Sequence, residues 1–191
     1  MSQKSNSNSL VRFALAALAL LSVGTGLAWW GYSNLQPPPN PLVLPDPRDS
    51  SGLRVYWLNG DGSSFSFEKV DSPAGLSPQQ SLEQGFLKLL QANPDKPSAI
   101  PAGTKLLALN VIPEGVVVDL SAEFTQGGGS ASMIGRLGQV VYTASSLEAT
   151  TPVWIKINGQ PLETLGGEGL EVAQPLTRQS FATNFSITPA P

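Results

Sequence analysis

Residues Phe13 to Gly31 form an unbroken run of 19 residues without a charge. As a helix rising about 1.5 Å per residue, the run is about 28 Å long, close to the ~30 Å hydrocarbon layer of a bilayer. So uniformly apolar a stretch is hard to place inside the small domain that the rest of the chain can build. Lys4 and Arg12 precede it, and the next positive charge is Arg48. The excess of basic residues on the N-terminal side places Met1 in the cytoplasm and the remainder outside. Trp29, Trp30 and Tyr32 stand where an interfacial aromatic belt belongs. Residues 10–32 therefore read as the signal anchor of a single-pass plasma-membrane protein with a periplasmic, extracytoplasmic domain. A cleaved signal peptide is the competing reading, because Gly26-Leu27-Ala28 has the small-x-small form of a cleavage site. The length of the run and the two Trp residues after that site favour an uncleaved anchor.

The chain has 191 residues, neither Cys nor His, and a net charge of −3. Without those residues there is no disulfide, thiolate zinc site, Cys nucleophile or His-based triad, and no lipid-bearing Cys. No run of Lys and Arg marks a nucleic-acid footprint. No cofactor and no metal is expected.

Residues 1–9 are polar and read as a disordered cytoplasmic N-terminus. Residues 33–52 form a Pro-rich linker: Gln36 to Ser51 holds six prolines, which favour extended geometry and exclude a helix. Globular patterning starts at Leu53. Arg54 to Asn59 and Phe65 to Val70 read as a hairpin, with Phe65 and Phe67 on one face. Ser77-Pro78-Gln79-Gln80 predicts a helix start with Ser77 as cap, Pro78 in first position and Gln80 completing a capping box. Leu82, Phe86, Leu89 and Leu90 give that helix one apolar face, and Asn93-Pro94 ends it. Strands follow over Lys105 to Ile112 and Val116 to Leu120, around a Pro113-Glu114-Gly115 turn. A second helix is expected over Ser132 to Leu147, with Ile134, Leu137, Val141 and Ala144 as its stripe. Strand Pro152 to Ile157 then turns at Asn158-Gly159, a type I′ signal, and returns over Gln160 to Leu165. The order β-β-α-β-β-α-β-β predicts an α+β domain: a mixed or antiparallel sheet with two helices packed on one face. Residues 179–191 read as a polar C-terminal tail.

The segments SAIPAGTKLLALNVIPEGVVVDLSAEF, GGGSASMIGRLGQVVYT and IKINGQPLETLGGEGLEVAQPLTR resemble, in combination, the GerMN domain of spore germination and sporulation proteins. The resemblance covers residues 53–178, the globular part. It implies an extracytoplasmic domain without catalytic activity that takes part in assembling envelope complexes. The chain carries one such unit, and its short single-span design most resembles cyanobacterial members.

Asp119 and Glu123, in VDLSAEF, are paired carboxylates that could serve acid–base chemistry or hold a divalent cation. Acidic residues at a strand end are more often solvated, and they are taken here as a ligand or partner surface rather than a catalytic pair. Gly127, Gly128, Gly129 and Ser130 open a helix, where free backbone N–H groups can meet an anion; the alternative is glycine flexibility with Ser130 or Ser132 capping. Gln139 and Tyr142, off the second helix's stripe or at its edge, either make buried hydrogen bonds or contact a partner, and the structural reading is preferred. The functional expectation is a non-enzymatic binding and assembly module of the bacterial cell envelope. Its expected partners are the membrane through residues 10–32 and an envelope protein or its own copies. The alternative is a peptidoglycan- or glycan-binding envelope protein, with glycan cleavage a less favoured form of the same reading.

Overall fold

The computed structural model describes residues 52–60, 62–166, 169–185 and 188–189. All belong to one compact unit within Pro45–Pro191. The expected N-terminus, anchor and nearly all of the linker (residues 1–51) lie outside the described residues. Among those described, no helix is long and apolar enough to cross a membrane.

Strands β1 (Leu53–Leu58) and β2 (Ser64–Val70) form the expected antiparallel hairpin, with Tyr56 opposite Phe67. Helix α1 (Pro78–Leu90) starts as its sequence dictates. The Ser77 hydroxyl accepts the Gln80 N–H, the Gln80 side chain accepts the Ser77 N–H, and Pro78 opens the first turn. Its stripe is buried at Leu82, Phe86 and Leu89. β3 (Leu106–Ile112) and β4 (Gly115–Leu120) pair antiparallel. The chain then passes through a 3-10 turn (Ala122–Thr125) into α2 (Ser130–Ala144) and returns as β5 (Val153–Ile157), parallel to β4. A parallel neighbour needs a crossover of this kind.

The fold is α+β, but the single expected sheet is divided. β3-β4-β5-β6 forms one mixed sheet, with β6 only Gln160–Pro161. β7 (Thr164–Leu165) pairs with β8 (Leu170–Glu171), so the return strand expected over Gln160 to Leu165 breaks in two. The hairpin joins β9 (Thr188–Pro189) in a separate sheet. Nor do both helices lie on one face of the hairpin. A Cβ on Gly85 of α1 would touch the Leu53 side chain, whereas one on Gly135 of α2 would touch Leu58. Leu53 and Leu58 point to opposite sides of β1, because side chains alternate along a strand. β1 is accordingly buried on both faces, through Leu53, Val55 and Trp57 on one and Tyr56 on the other.

α2 departs furthest from its sequence reading. It starts at Ser130 and ends at Ala144, and every residue from Gly135 to Ala144 is buried. A single stripe does not describe it, because Gly135 and Gly138 remove the side chains that would hold β1 and β2 away. The stretch read as a polar tail contains helix α3 (Arg178–Asn184), whose Phe181 is fully buried. One aromatic in a polar heptad gives no periodic signal. Phe181 meets Tyr142 edge to face and packs at a tilt against Phe65 and Phe185, at 5.0–6.3 Å between ring centroids.

Candidate functional surface

Asp119 lies on the partly exposed face of β4, alternating with the buried Val118 and Leu120. Its Oδ1 accepts the Gly159 N–H at 3.0 Å, and it stands opposite Lys156 across the β4-β5 pair. Asp119 thereby braces the Asn158-Gly159 turn, whose φ values of 49° and 82° are both left-handed, as a type I′ turn requires. Glu123 sits one turn further, in the 3-10 segment. Its carboxyl is held below the usual carboxylate range by the Ser121 side chain, its own backbone amide and nearby Lys105. The two carboxylates thus have separate local partners. Among the described residues, no group of three acidic, His or Cys side chains converges to hold a metal.

The glycine loop is organised around a cation from within the chain. Arg136 of α2 is 1% exposed. Its Nη1 donates to the carbonyls of Phe124 (2.7 Å) and Gln126 (3.0 Å), and its Nη2 to that of Gly127 (2.8 Å) and to Ser132 Oγ (3.3 Å). Burial pushes the guanidinium pKa down, and the carbonyls offset the lost hydration. Gly127 and Gly128 have φ of 61° and 80°. A Cβ on Gly128 would stand 2.8 Å from Arg136 Nη2, so glycine is needed there for both conformation and space. The helix cap is Gly129 with no side-chain cap bond, and Ser132 accepts from Arg136 instead of capping.

Sequence reading passed over two arginines. Arg136 carries one signal: it interrupts the apolar spacing from Met133 to Leu137 with no acidic residue within a helical turn. Arg178 donates to Ser145 Oγ and to the carbonyls of Tyr142 and Ser145. It lies over the rings of Tyr56 and Tyr142, at 5.2 and 5.1 Å. No local pattern marks it. Gln139 and Tyr142 are structural, as read: Gln139 bonds Ala99 N–H, Ser98 Oγ and the Tyr56 carbonyl, and Tyr142 sits in the aromatic cluster.

A cleft of about 480 Å³ opens between the C-terminal end of α1 and the Asn93–Gly103 loop. Trp57, Leu89, Ile100, Asn93 and Lys96 are among its lining. The Trp57 indole N–H has no hydrogen-bond partner among the described residues. The indole is only 1% exposed and offers no open ring face.

The fold defines a small α+β module in which Asp119, Arg136, Gln139 and Arg178 hold the chain's own turns, loops and strands. The family described as Germane, sporulation and spore germination, matches residues 54–163, more than half of the chain. The chain belongs to that family. Among solved structures, the tandem GerMN domains of the sporulation protein GerM from Bacillus subtilis are similar in fold, with a TM-score of 0.50 and 20% identity. That match covers 66% of this chain and 45% of the other, so the chain spans less than half of the tandem protein. The first GerMN domain of the same protein matches with a TM-score of 0.49 and 17% identity, over 60% of this chain and 87% of that domain. A putative lipoprotein from Clostridium perfringens matches at 0.48 and 18%, over 66% and 87%. No curated protein matches the chain.

Proposed function

We propose that this protein is a non-enzymatic binding and assembly module of the bacterial cell envelope, held on the extracytoplasmic side by residues 10–32. The observation that carries the reading is the use made of the polar groups that chemistry would need. Asp119 holds the Gly159 amide, and the glycine loop holds Arg136. Gln139 ties β1 to the Ala99 loop. Each is engaged in shaping the surface. Family membership supports a role in sporulation, germination or a related envelope process.

The test is capture of partners by the full chain from natively solubilised membranes, together with its oligomeric state. Co-purification of an envelope protein or a defined oligomer supports the reading; a monomer without any envelope partner would overturn it. Sedimentation with purified sacculi tests the peptidoglycan alternative, and muropeptide release dependent on Asp119 and Glu123 would reinstate an enzyme.

A further inference from the structure

The two sheet edges of this fold are treated in opposite ways. The free edge of β1 is closed: Thr143 Oγ1 accepts the Tyr56 N–H, Gln139 Nε2 donates to the Tyr56 carbonyl, and the Pro97 carbonyl accepts the Leu58 N–H. The free edge of β3 is not. β3 ends the order β3-β4-β5-β6, and among the described residues no strand pairs with its other side. Its sequence, LLALNVI, holds no charge and no proline. Only Leu109 is buried; Leu107, Val111 and Ile112 are 49%, 40% and 36% exposed. Exposed strand edges are normally blunted by Lys, Pro or a covering element, because their open N–H and C=O groups template a further strand. Helix α1 packs against β3 but leaves all of it from Leu107 to Ile112 except Leu109 exposed, and past a register irregularity between Leu106 and Ala108 the segment Ala108–Ile112 pairs regularly with β4.

We infer that β3 pairs edge to edge, antiparallel, with β3 of a second copy, about a twofold axis at Asn110. The inference deepens the assembly reading and rests on it. A second copy is indicated by self-complementarity. A twofold normal to the sheet pairs residues of the same face, and Asn110 is the midpoint of the regular segment. Ala108 then meets Ile112, Leu109 meets Val111, and Asn110 meets its own copy, so apolar side chains face apolar ones. Lys105 precedes the strand and Glu114 follows it. Antiparallel pairing brings the Lys105 end of each copy beside Glu114 of the other, which places opposite charges together twice.

The chain has no cysteine, so single-Cys variants of the full chain in membranes read this contact directly. Opposed Cα atoms in an antiparallel pair lie about 4.5–5.5 Å apart, within the disulfide range of about 4.4–6.8 Å. Under mild oxidation Asn110→Cys is expected to give a covalent dimer. Leu87→Cys, at an exposed site on α1, is expected to stay monomeric. Mixed Ala108→Cys and Ile112→Cys chains are expected to cross-link with each other and supply a second reading of the register. Adding Val111→Lys to Asn110→Cys is expected to abolish the dimer. Absence of dimer in both the Asn110→Cys chain and the mixed Ala108→Cys and Ile112→Cys chains overturns the edge contact, and so does an equal yield of dimer from Leu87→Cys. Light scattering on the detergent-solubilised chain separates the two levels: an oligomer lacking these cross-links overturns only the edge, whereas a monomer overturns self-association as well.

Discussion

The Gln139 side chain on α2 donates to the Tyr56 carbonyl on β1 at 3.2 Å while its oxygen accepts the Ala99 N–H at 2.8 Å. One fully buried amide thus joins a helix to a strand edge and a loop that lie 83 and 40 residues away in sequence. With Thr143 one turn later accepting the Tyr56 N–H, α2 presents to β1 the donor and acceptor that a neighbouring strand would.

Replacing Gln139 by Leu is therefore expected to destabilise the protein by about 1–3 kcal/mol, since the buried Tyr56 carbonyl and the half-buried Ala99 amide lose their partners. Urea unfolding of the variant against the parent chain measures it. A change below about 0.5 kcal/mol would mean that water replaces the amide.

Gly138 is a packing requirement. A Cβ there would overlap Phe65 Cζ and stand 2.8 Å from Phe181 Cζ. Gly138→Ala is expected to cost about 1–3 kcal/mol through overpacking. Gly129→Ala, which meets nothing within 4 Å, is expected to cost far less, and comparison of the two unfolding midpoints decides the point.

Arg136 orders the loop before α2. Arg136→Lys keeps the charge but cannot reach the Phe124, Gln126 and Gly127 carbonyls with one ammonium. The expected result is faster amide hydrogen exchange across residues 124–130, along with a lowered unfolding midpoint. Unchanged protection there would remove Arg136 as the loop's organiser.

Tyr142 links stability to alkaline pH. Burial pushes its phenol up to about 12 from an ordinary 10.0, against a partial lowering by Arg178. The folded state therefore holds its proton more tightly than the unfolded state. That contribution is fully present below pH 10 and is lost as pH rises toward about 12. Chemical denaturation across that interval is expected to show stability falling, with the fall reduced in Tyr142→Phe.

Phe181 closes the core from beyond the family match. Phe181→Ala is expected to destabilise by about 3–5 kcal/mol, measured by thermal or urea unfolding. A surface-like effect would return α3 to the status of a tail.

The chain's local grammar was legible wherever one element carries its own signal. The Ser77 capping box, the Asn158-Gly159 turn, the β1-β2 hairpin and the β4 alternation all depend on residues within a few positions of each other, so sequence spacing alone fixes them. Asp119, Glu123 and Gly127 to Ser130 could be named as polar or conformationally special positions for the same reason. Only the tertiary structure decided what they meet: Asp119 finds Gly159 forty residues away, and the glycine loop closes on Arg136. It also decided that α2 is buried all round from Gly135 to Ala144, that the sheet divides, and that Phe181 joins the core. Those outcomes depend on long-range packing, where the volume left by Gly135 and Gly138 is filled by partners whose distance along the chain no local pattern encodes.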